Sequence, residues 1–278
     1  MKILCPTDFS SAATNGIEYA AKLAQKMNAT LTLLNVQPLY INEGVNLFAG
    51  GELESMQEAK VSEKILDDIC LDIKKTFNLS CSHEVIPTLS SFEKIVDDES
   101  WKFNLIVIGT NGADNLYQFY FGTHSFRLAK KTKCPVLIVP ENSSYEDISN
   151  VVFASGYIKG DELLLQQLKQ FIAQLTTAAD LKLQVLHISE NDTPVSREVY
   201  HSFCNLTEEV LGNDQVTAFE RIVNKKAVEG IENYMNKIQF GILAVCMEEH
   251  GFLYRIFNEN LVNKLTAFPN YPVLVFHK

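Results

Sequence analysis

The chain has 278 residues, of which 46% are hydrophobic and 21% charged, with a formal net charge of −10. This length fits two domains of ordinary size, and the proportions are those of globular proteins. A net anion is a poor partner for nucleic acid, and no apolar run reaches the roughly 20 residues that span a bilayer. We therefore expect a cytoplasmic protein that binds neither nucleic acid nor membrane.

Short apolar runs alternate with amphipathic segments along the first half of the chain, which predicts strands alternating with helices. The runs are apolar nearly throughout, as expected of strands that are covered on both faces. Ser11 is the predicted cap of the first helix, and Ser90 or Ser91 that of the third. The predicted strands are 2–5, 31–36, 82–86, 105–108 and 136–139, and the predicted helices are 10–27, 53–77, 92–101 and 123–131.

Two of these helices have a clear apolar stripe that we expect to face the sheet. The stripe of the first helix is Ala13, Ile17, Ala20, Ala21, Leu23 and Ala24, and that of the second is Met56, Ala59, Ile65, Ile69 and Leu71.

The chain also repeats itself. Residues 105–140 align without a gap to 242–277, and the two starts, 2–12 and 150–160, match at a larger offset, which makes 40–51 an insert. Strands are predicted near 150–154, 182–188, 216–222, 241–246 and 272–276. We expect an α/β fold of two tandem, doubly wound domains, 1–142 and 148–278, each with five parallel strands and right-handed crossovers.

A glycine pattern follows the fourth strand and precedes a helix: Gly109, Gly112, Gly122 and Thr123 have the spacing Gly-x2-Gly-x9-Gly-Thr. Gly109 has no side chain, so a ligand can approach its backbone closely. The free N–H groups and dipole at the start of a helix favour phosphate. The alternative is structural, with turn glycines and with Thr123 as a helix cap.

This pattern is the nucleotide-binding signature of the ATP-binding branch of the universal stress protein family, which the chain resembles over both halves. The runs ILCPTDFS, LLNVQ, VIGT and CPVLIVP support the resemblance. It implies strand order 3-2-1-4-5, as in adenine nucleotide alpha hydrolase-like folds, with a ligand between strands one and four, where the order reverses.

The resemblance further implies ATP or another adenine nucleotide. Phosphoryl transfer usually uses Mg²⁺, for which Asp114 either offers a carboxylate or is a solvated loop residue. Asp8 would lie against the nucleoside unless it only caps the first helix, and the backbone of Val36 would face the adenine edge. Ribose and phosphates would lie on the glycine pattern. The implied site is Pro6, Thr7, Asp8, Val36, Gly109, Thr110, Asn111, Gly112, Gly122, Thr123, His124 and Ser125. No catalytic residue and no protein metal site are predicted.

The second half lacks the pattern. Gly156 stands opposite Asp8, and the glycine pattern is replaced by Cys246, Glu249, Glu259 and Asn260. A carboxylate at 259 would repel a phosphate about 4 Å away by about 4 kcal/mol, more than the roughly 1 kcal/mol that a helix terminus supplies. We expect no ATP there. The resemblance instead implies an intramolecular pseudo-dimer through the fifth strands, 136–139 and 273–276, with a homodimer as a further alternative.

Three functions remain open. The first is a nucleotide-dependent stress-response or signalling module with a protein partner of unknown identity. The second is a slow ATPase or nucleotide hydrolase, and the third is a ligand-free scaffold whose motif is vestigial. The insert at 40–51 either folds over the nucleotide or is a flexible excursion. The six cysteines contain no CxxC pair, which is typical of reduced thiols, although a disulfide between two of them stays an alternative.

Overall fold

A computed structural model describes most of the chain, in two compact units. The first unit comprises Met1–Thr110 and His124–Glu141, and the second includes the described residues from Asn142 onward. No helix within the described part of the chain has the length and apolar character needed to cross a membrane. The described residues are 1–39, 51–110, 123–146, 148–155, 162–175, 181–189, 191–212, 216–223, 227–239, 241–247 and 271–277.

The first unit is a parallel sheet with the order β3-β2-β1-β4-β5, which confirms the predicted order. Its strands are β1 (Lys2–Pro6), β2 (Thr30–Pro38), β3 (Cys81–Thr88), β4 (Leu105–Thr110) and β5 (Val136–Pro140). Its helices are α1 (Ser11–Lys26), α2 (Gly51–Phe77), α3 (Phe92–Ser100) and α4 (Thr123–Lys131).

The second unit has the same arrangement, with parallel strands in the order β8-β7-β6-β9-β10. Its strands are β6 (Asn150–Ser155), β7 (Lys182–Ser189), β8 (Val216–Val223), β9 (Gly241–Met247) and β10 (Val273–His277). Its helices are α5 (Glu162–Leu175), α6 (Pro194–Leu211) and α7 (Ala227–Met235). The segment that aligns with α4 lies outside the described residues.

The core of the first unit is formed where α1 lies on the central strands. Every residue of the predicted α1 stripe is buried, as are Ile3, Leu105 and Val107 in the strands beneath. The cap of α1 is Ser10 and not the predicted Ser11, because the Ser10 hydroxyl accepts the N–H of Ala13. Ser91 caps α3 in the same way.

Two predictions about α2 and β3 were wrong. The sheet-facing stripe of α2 contains Ser62, Leu66 and Ile73, whereas Ile65 is 39% and Leu71 53% exposed. Because successive helix residues are about 100° apart, a stripe assigned one residue away faces solvent. β3 is not covered on both faces, since its residues alternate between exposed and half-buried. Within the described residues it pairs with β2 alone, so it lies at the edge of the sheet.

Candidate functional site

The order of the first sheet reverses between β1 and β4, and the pairing of these strands stops before either strand ends. Ile3 pairs with Leu105 and Leu4 with Ile106, whereas β1 continues to Pro6 and β4 to Thr110. β1 stays attached to β2 on its other side. Parallel α/β sheets bind their ligands where neighbouring strands separate in this way, beyond the carboxyl ends.

The backbone of Val36 faces this opening. The N–H of Thr7 donates to the carbonyl of Leu34 at 2.8 Å, so the backbone groups of Leu34 point towards β1. Groups two residues apart in a strand point to the same side, so the N–H and C=O of Val36 also point towards β1. β1–β2 pairing ends at Pro6–Leu34, which leaves Val36 beyond the last residue of β2 that pairs with β1. The N–H and C=O of Val36 therefore form a donor and acceptor pair at the carboxyl end of the sheet.

The residues that follow β1 form two tight local turns. The Thr7 hydroxyl accepts the N–H of Phe9 at 3.1 Å, and the Asp8 carboxylate accepts the N–H of Ser10 at 3.0 Å. Phe9 has a φ of 65°, a left-handed conformation that is uncommon for a bulky residue and that the two turns hold in place. Asp8 itself is exposed and does not cap α1, because Ser10 does.

Asn35 holds the ends of β1 and β2 together, a role that sequence reasoning missed. Its side-chain amide donates to the carbonyl of Thr7 at 2.8 Å, and the residue is 5% exposed. Its Oδ1 is buried without a hydrogen-bond partner in the described residues. The run LLNVQ contains Asn35, but nothing in the sequence distinguishes it from an ordinary polar residue at the end of a strand.

Gly109 is needed for the packing of α1, whereas the sequence suggested that it lets a ligand approach the backbone closely. A Cβ on Gly109 would collide with the backbone carbonyl of Ala12 and lie 3.1 Å from the Cα of Ala13. A Cβ on Gly16 would in turn lie 2.7 Å from the Gly109 nitrogen. The space that Gly109 leaves on this side is filled by the backbone of α1 and not by a ligand.

The start of α4 brings one predicted residue against a residue that was not predicted. His124 Nδ1 lies 2.9 Å from Glu93 Oε1, and the ring packs edge-on against Phe92 at a centroid distance of 5.4 Å. Arg127 approaches the same carboxylate at 4.0 Å. Burial raises the pKa of Glu93, but hydrogen bonds from its own backbone and from His124, with the nearby charges, lower it overall. Glu93 and His124 therefore link α3 to α4.

The other predicted site residues divide into two groups. Pro6, Thr7 and Thr110 are buried at the ends of β1 and β4, and Ser125 is buried in the first turn of α4. Asn111, Gly112 and Gly122 lie outside the described residues, as does the side chain of Thr123. Gly156, Glu249, Glu259 and Asn260, the corresponding positions of the second half, are also outside the described residues.

The second unit repeats the strand-end contact with different chemistry. His187, which aligns with Asn35, is 1% exposed and hydrogen-bonds the backbone of Ser155, which aligns with Thr7. Burial and the charge of Arg221 lower the pKa of His187 to about 4, although the hydrogen bond to Ser155 opposes this. Cys246, the counterpart of Gly109, lies in β9 and is half-buried. The two halves thus share a framework but differ in the groups at its carboxyl ends.

Comparison with known proteins gives one consistent result. A family model described as "Universal stress protein family" matches residues 1–140. Universal stress protein MJ0531 of Methanocaldococcus jannaschii is 27% identical over 141 residues, which cover 50% of this chain and 81% of that protein. Universal stress protein MJ0577 of the same organism is 26% identical over 164 residues, covering 51% and 96%.

Solved structures extend the likeness of fold to the whole chain. A universal stress protein from Archaeoglobus fulgidus is similar with a TM-score of 0.74 at 15% identity, covering 99% of this chain and 98% of that one. A family protein from Arabidopsis thaliana, solved with AMP bound, covers 54% of this chain and 95% of its own, at 14% identity and a TM-score of 0.36.

Proposed function

The chain belongs to the universal stress protein family, and from this premise we propose that its first half binds an adenine nucleotide, ATP foremost, in a stress-response or signalling role. The observation that carries the proposal is the backbone of Val36, whose N–H and C=O face the opening beyond β1. A paired donor and acceptor of this kind matches the edge of an adenine ring, which also presents one donor and one acceptor.

The neighbouring groups fit the remaining parts of a nucleotide. Asp8 is exposed at the end of β1, and one of its oxygens accepts the Ser10 N–H. Its carboxylate retains capacity to accept ribose hydroxyls. The start of α4 at Thr123 offers phosphate N–H groups that have no partner within the helix, together with the positive end of the helix dipole. Adenine, ribose and phosphate would therefore be bound by β2, β1 and α4 respectively.

A regulatory role follows from where the phosphates would bind. Residues 111–122 connect β4 to α4 and contain two of the motif glycines, Gly112 and Gly122. In the proposed site the phosphates lie on these glycines. We infer that occupancy changes the surface that this segment presents to a protein partner.

Calorimetric titration of the full chain with ATP, ADP and AMP, with and without Mg²⁺, tests the proposal. AMP is included because it is the ligand of the Arabidopsis family member. We expect binding of ATP that Gly122→Glu abolishes, because the new carboxylate would repel the phosphates. Ser80→Glu is the matched control, because it adds the same charge at an exposed residue that precedes β3, at the opposite end of the strands, and it should keep affinity within about threefold. Absence of binding at millimolar ATP would refute the proposal.

A further inference from the structure

Two cysteines from different elements of the first unit meet on the surface of α2 and β3. Cys70 lies in α2 and Cys81 begins β3, and their sulfur atoms are 2.7 Å apart. Both residues are half-buried, so small molecules in solvent have access to them. A disulfide bond has an S–S distance of about 2.05 Å. The two sulfur atoms therefore need only a small movement towards each other to form a disulfide bond.

The surroundings assign different chemical roles to the two sulfurs. The hydrogen bond from Cys81 is the main cause that lowers the pKa of Cys70, and His83 lowers it further. Burial and the nearby charge of Asp67 raise it, and the pKa of Cys70 is about 7. The same hydrogen bond and burial raise the pKa of Cys81. His83 is two residues after Cys81 and so on the same face of β3, where its Nδ1 lies 3.8 Å from the Asp67 carboxylate. Cys70 is therefore the thiol that ionises more readily, and Cys81 is the thiol that keeps its proton.

We propose that Cys70 and Cys81 form a redox-active dithiol that exchanges with small-molecule disulfides and closes into a Cys70–Cys81 disulfide. In the first step the Cys70 thiolate attacks a disulfide RSSR, forming a Cys70–S–S–R bond and releasing RS⁻. In the second step the Cys81 sulfur attacks Cys70, expels the second RS⁻ and gives up its proton to a released thiolate. Two protein thiols are oxidised, and one RSSR is reduced to two thiols in their protonated and ionised forms.

This site is separate from the proposed nucleotide site. Cys81 pairs with Leu31 near the start of β2, at the amino ends of the strands, whereas the nucleotide site lies at the carboxyl ends. In the described part of the chain no three His, Cys, Asp or Glu side chains are grouped to hold a metal, which favours disulfide chemistry over metal binding. Burial raises the pKa of Cys5 and of Cys134 to about 12, so these thiols serve as unreactive references.

The test exposes the full-length protein to oxidised glutathione, quenches with acid, blocks free thiols and maps tryptic peptides by mass spectrometry. Cleavage separates peptides 65–74 and 76–94, so a Cys70–Cys81 bond appears as their linked product. We expect this product in most molecules, at least tenfold more modification than at Cys134, and full reversal by reduced glutathione. Nucleotide affinity should not change.

Variants distinguish the two roles. Cys81→Ala should accumulate a glutathione adduct on Cys70, because no second thiol resolves it, whereas Cys70→Ala should leave Cys81 unmodified. Cys204→Ala is the matched control and should behave as the parent protein. Circular dichroism checks that each variant folds, and the result on the parent protein stands without them. Absence of the linked product, equal modification of Cys134, or stoichiometric zinc whose removal is needed for reaction would each overturn the proposal.

Discussion

Asp8 is the single residue whose side chain most directly tests the proposed ribose contact. It is exposed, so Asp8→Ala should leave the fold intact and remove only the acceptor and one local hydrogen bond. We expect the Kd for ATP to rise about tenfold, equivalent to about 1.4 kcal/mol, which is the scale of a hydrogen bond to a charged group. Calorimetric titration measures this change. Asp72→Ala, which removes an exposed carboxylate of α2, is the control, and equal affinity of both variants would place the ribose elsewhere.

Single residues were predictable from the sequence where their role is local. The order of residues placed Asp8 and Val36 at strand ends, because a strand end is a feature of the local pattern. Glu93 could not be found in this way, since its partner His124 is 31 residues away and the contact exists only after α3 and α4 have packed. The cap of α1 was misplaced by one residue because Ser10 and Ser11 are both good caps and only backbone geometry selects between them.

At the scale of elements, the crossing of α1 over β4 depends on two glycines. Gly109→Ala places a methyl group against the backbone of Ala12, and backbone cannot move aside as a side chain can. We expect a loss of about 3 kcal/mol or more in the free energy of unfolding, measured by urea denaturation.

Gly241→Ala is the matched comparison for this change. Its new Cβ would lie 2.8 Å from the Cγ2 atom of the Ile238 side chain, which can rotate, and at an ordinary contact distance of 3.6 Å from two atoms of Asn150. The expected loss is about 1 kcal/mol or less. Equal losses in the two variants would show that α1 does not press on Gly109 as described.

The contact between β6 and β7 makes the second unit sensitive to acid. His187 has a folded pKa of about 4, whereas an unfolded histidine has one of about 6.5. Between these pH values the unfolded chain binds more protons than the folded chain. The contribution of neutral His187 to the free energy of unfolding is therefore fully present above about pH 6.5. It falls by up to about 3 kcal/mol as the pH is lowered towards 4. His187→Asn copies Asn35 of the first unit and should reduce this loss.

Urea denaturation at pH 7.5 and pH 4.5 measures the difference between parent and variant. Carboxylates titrate in both proteins, so their contribution cancels in the comparison. His201→Asn, which changes an exposed histidine of α6, should retain the full acid sensitivity of the parent. If His187→Asn retains it as well, His187 is not the group responsible.

The positions of helices and strands were predictable wherever the hydrophobic period was clear. The exposure of their faces was not, because it depends on the elements that pack against them. In the described part of the chain, the ten strands lie at or near the predicted positions. The predicted order already places strand three at an edge, but the runs do not reveal how far the faces of a strand are covered, so the alternating exposure of β3 and β8 appeared only in the fold. In α2 several apolar side chains lie on adjacent faces, and packing selects Leu66 and Ile73 over Ile65 and Leu71.

For the whole molecule, the unequal halves predict one nucleotide per chain. We propose that residues 1–142 form the binding domain and that residues 148–278 form a domain without nucleotide. Equilibrium dialysis with radiolabelled ATP should therefore give a stoichiometry near one, falling to zero in Gly122→Glu. A stoichiometry near two, or one that persists in that variant, would mean that the second domain binds nucleotide despite the carboxylates aligned with the motif.

The packing of Gly109 against α1 has a consequence for genetic screens on this protein. A saturation library selected for cellular abundance should be depleted of substitutions at Gly109. It should also be depleted at Gly16, where an added Cβ would collide with the Gly109 nitrogen. A library selected for ligand binding should be depleted at Gly109 as well, for the same reason of folding. Only the difference between the two selections reports contact with nucleotide, so a glycine shared by motif and packing is weak evidence of a ligand wherever it is found.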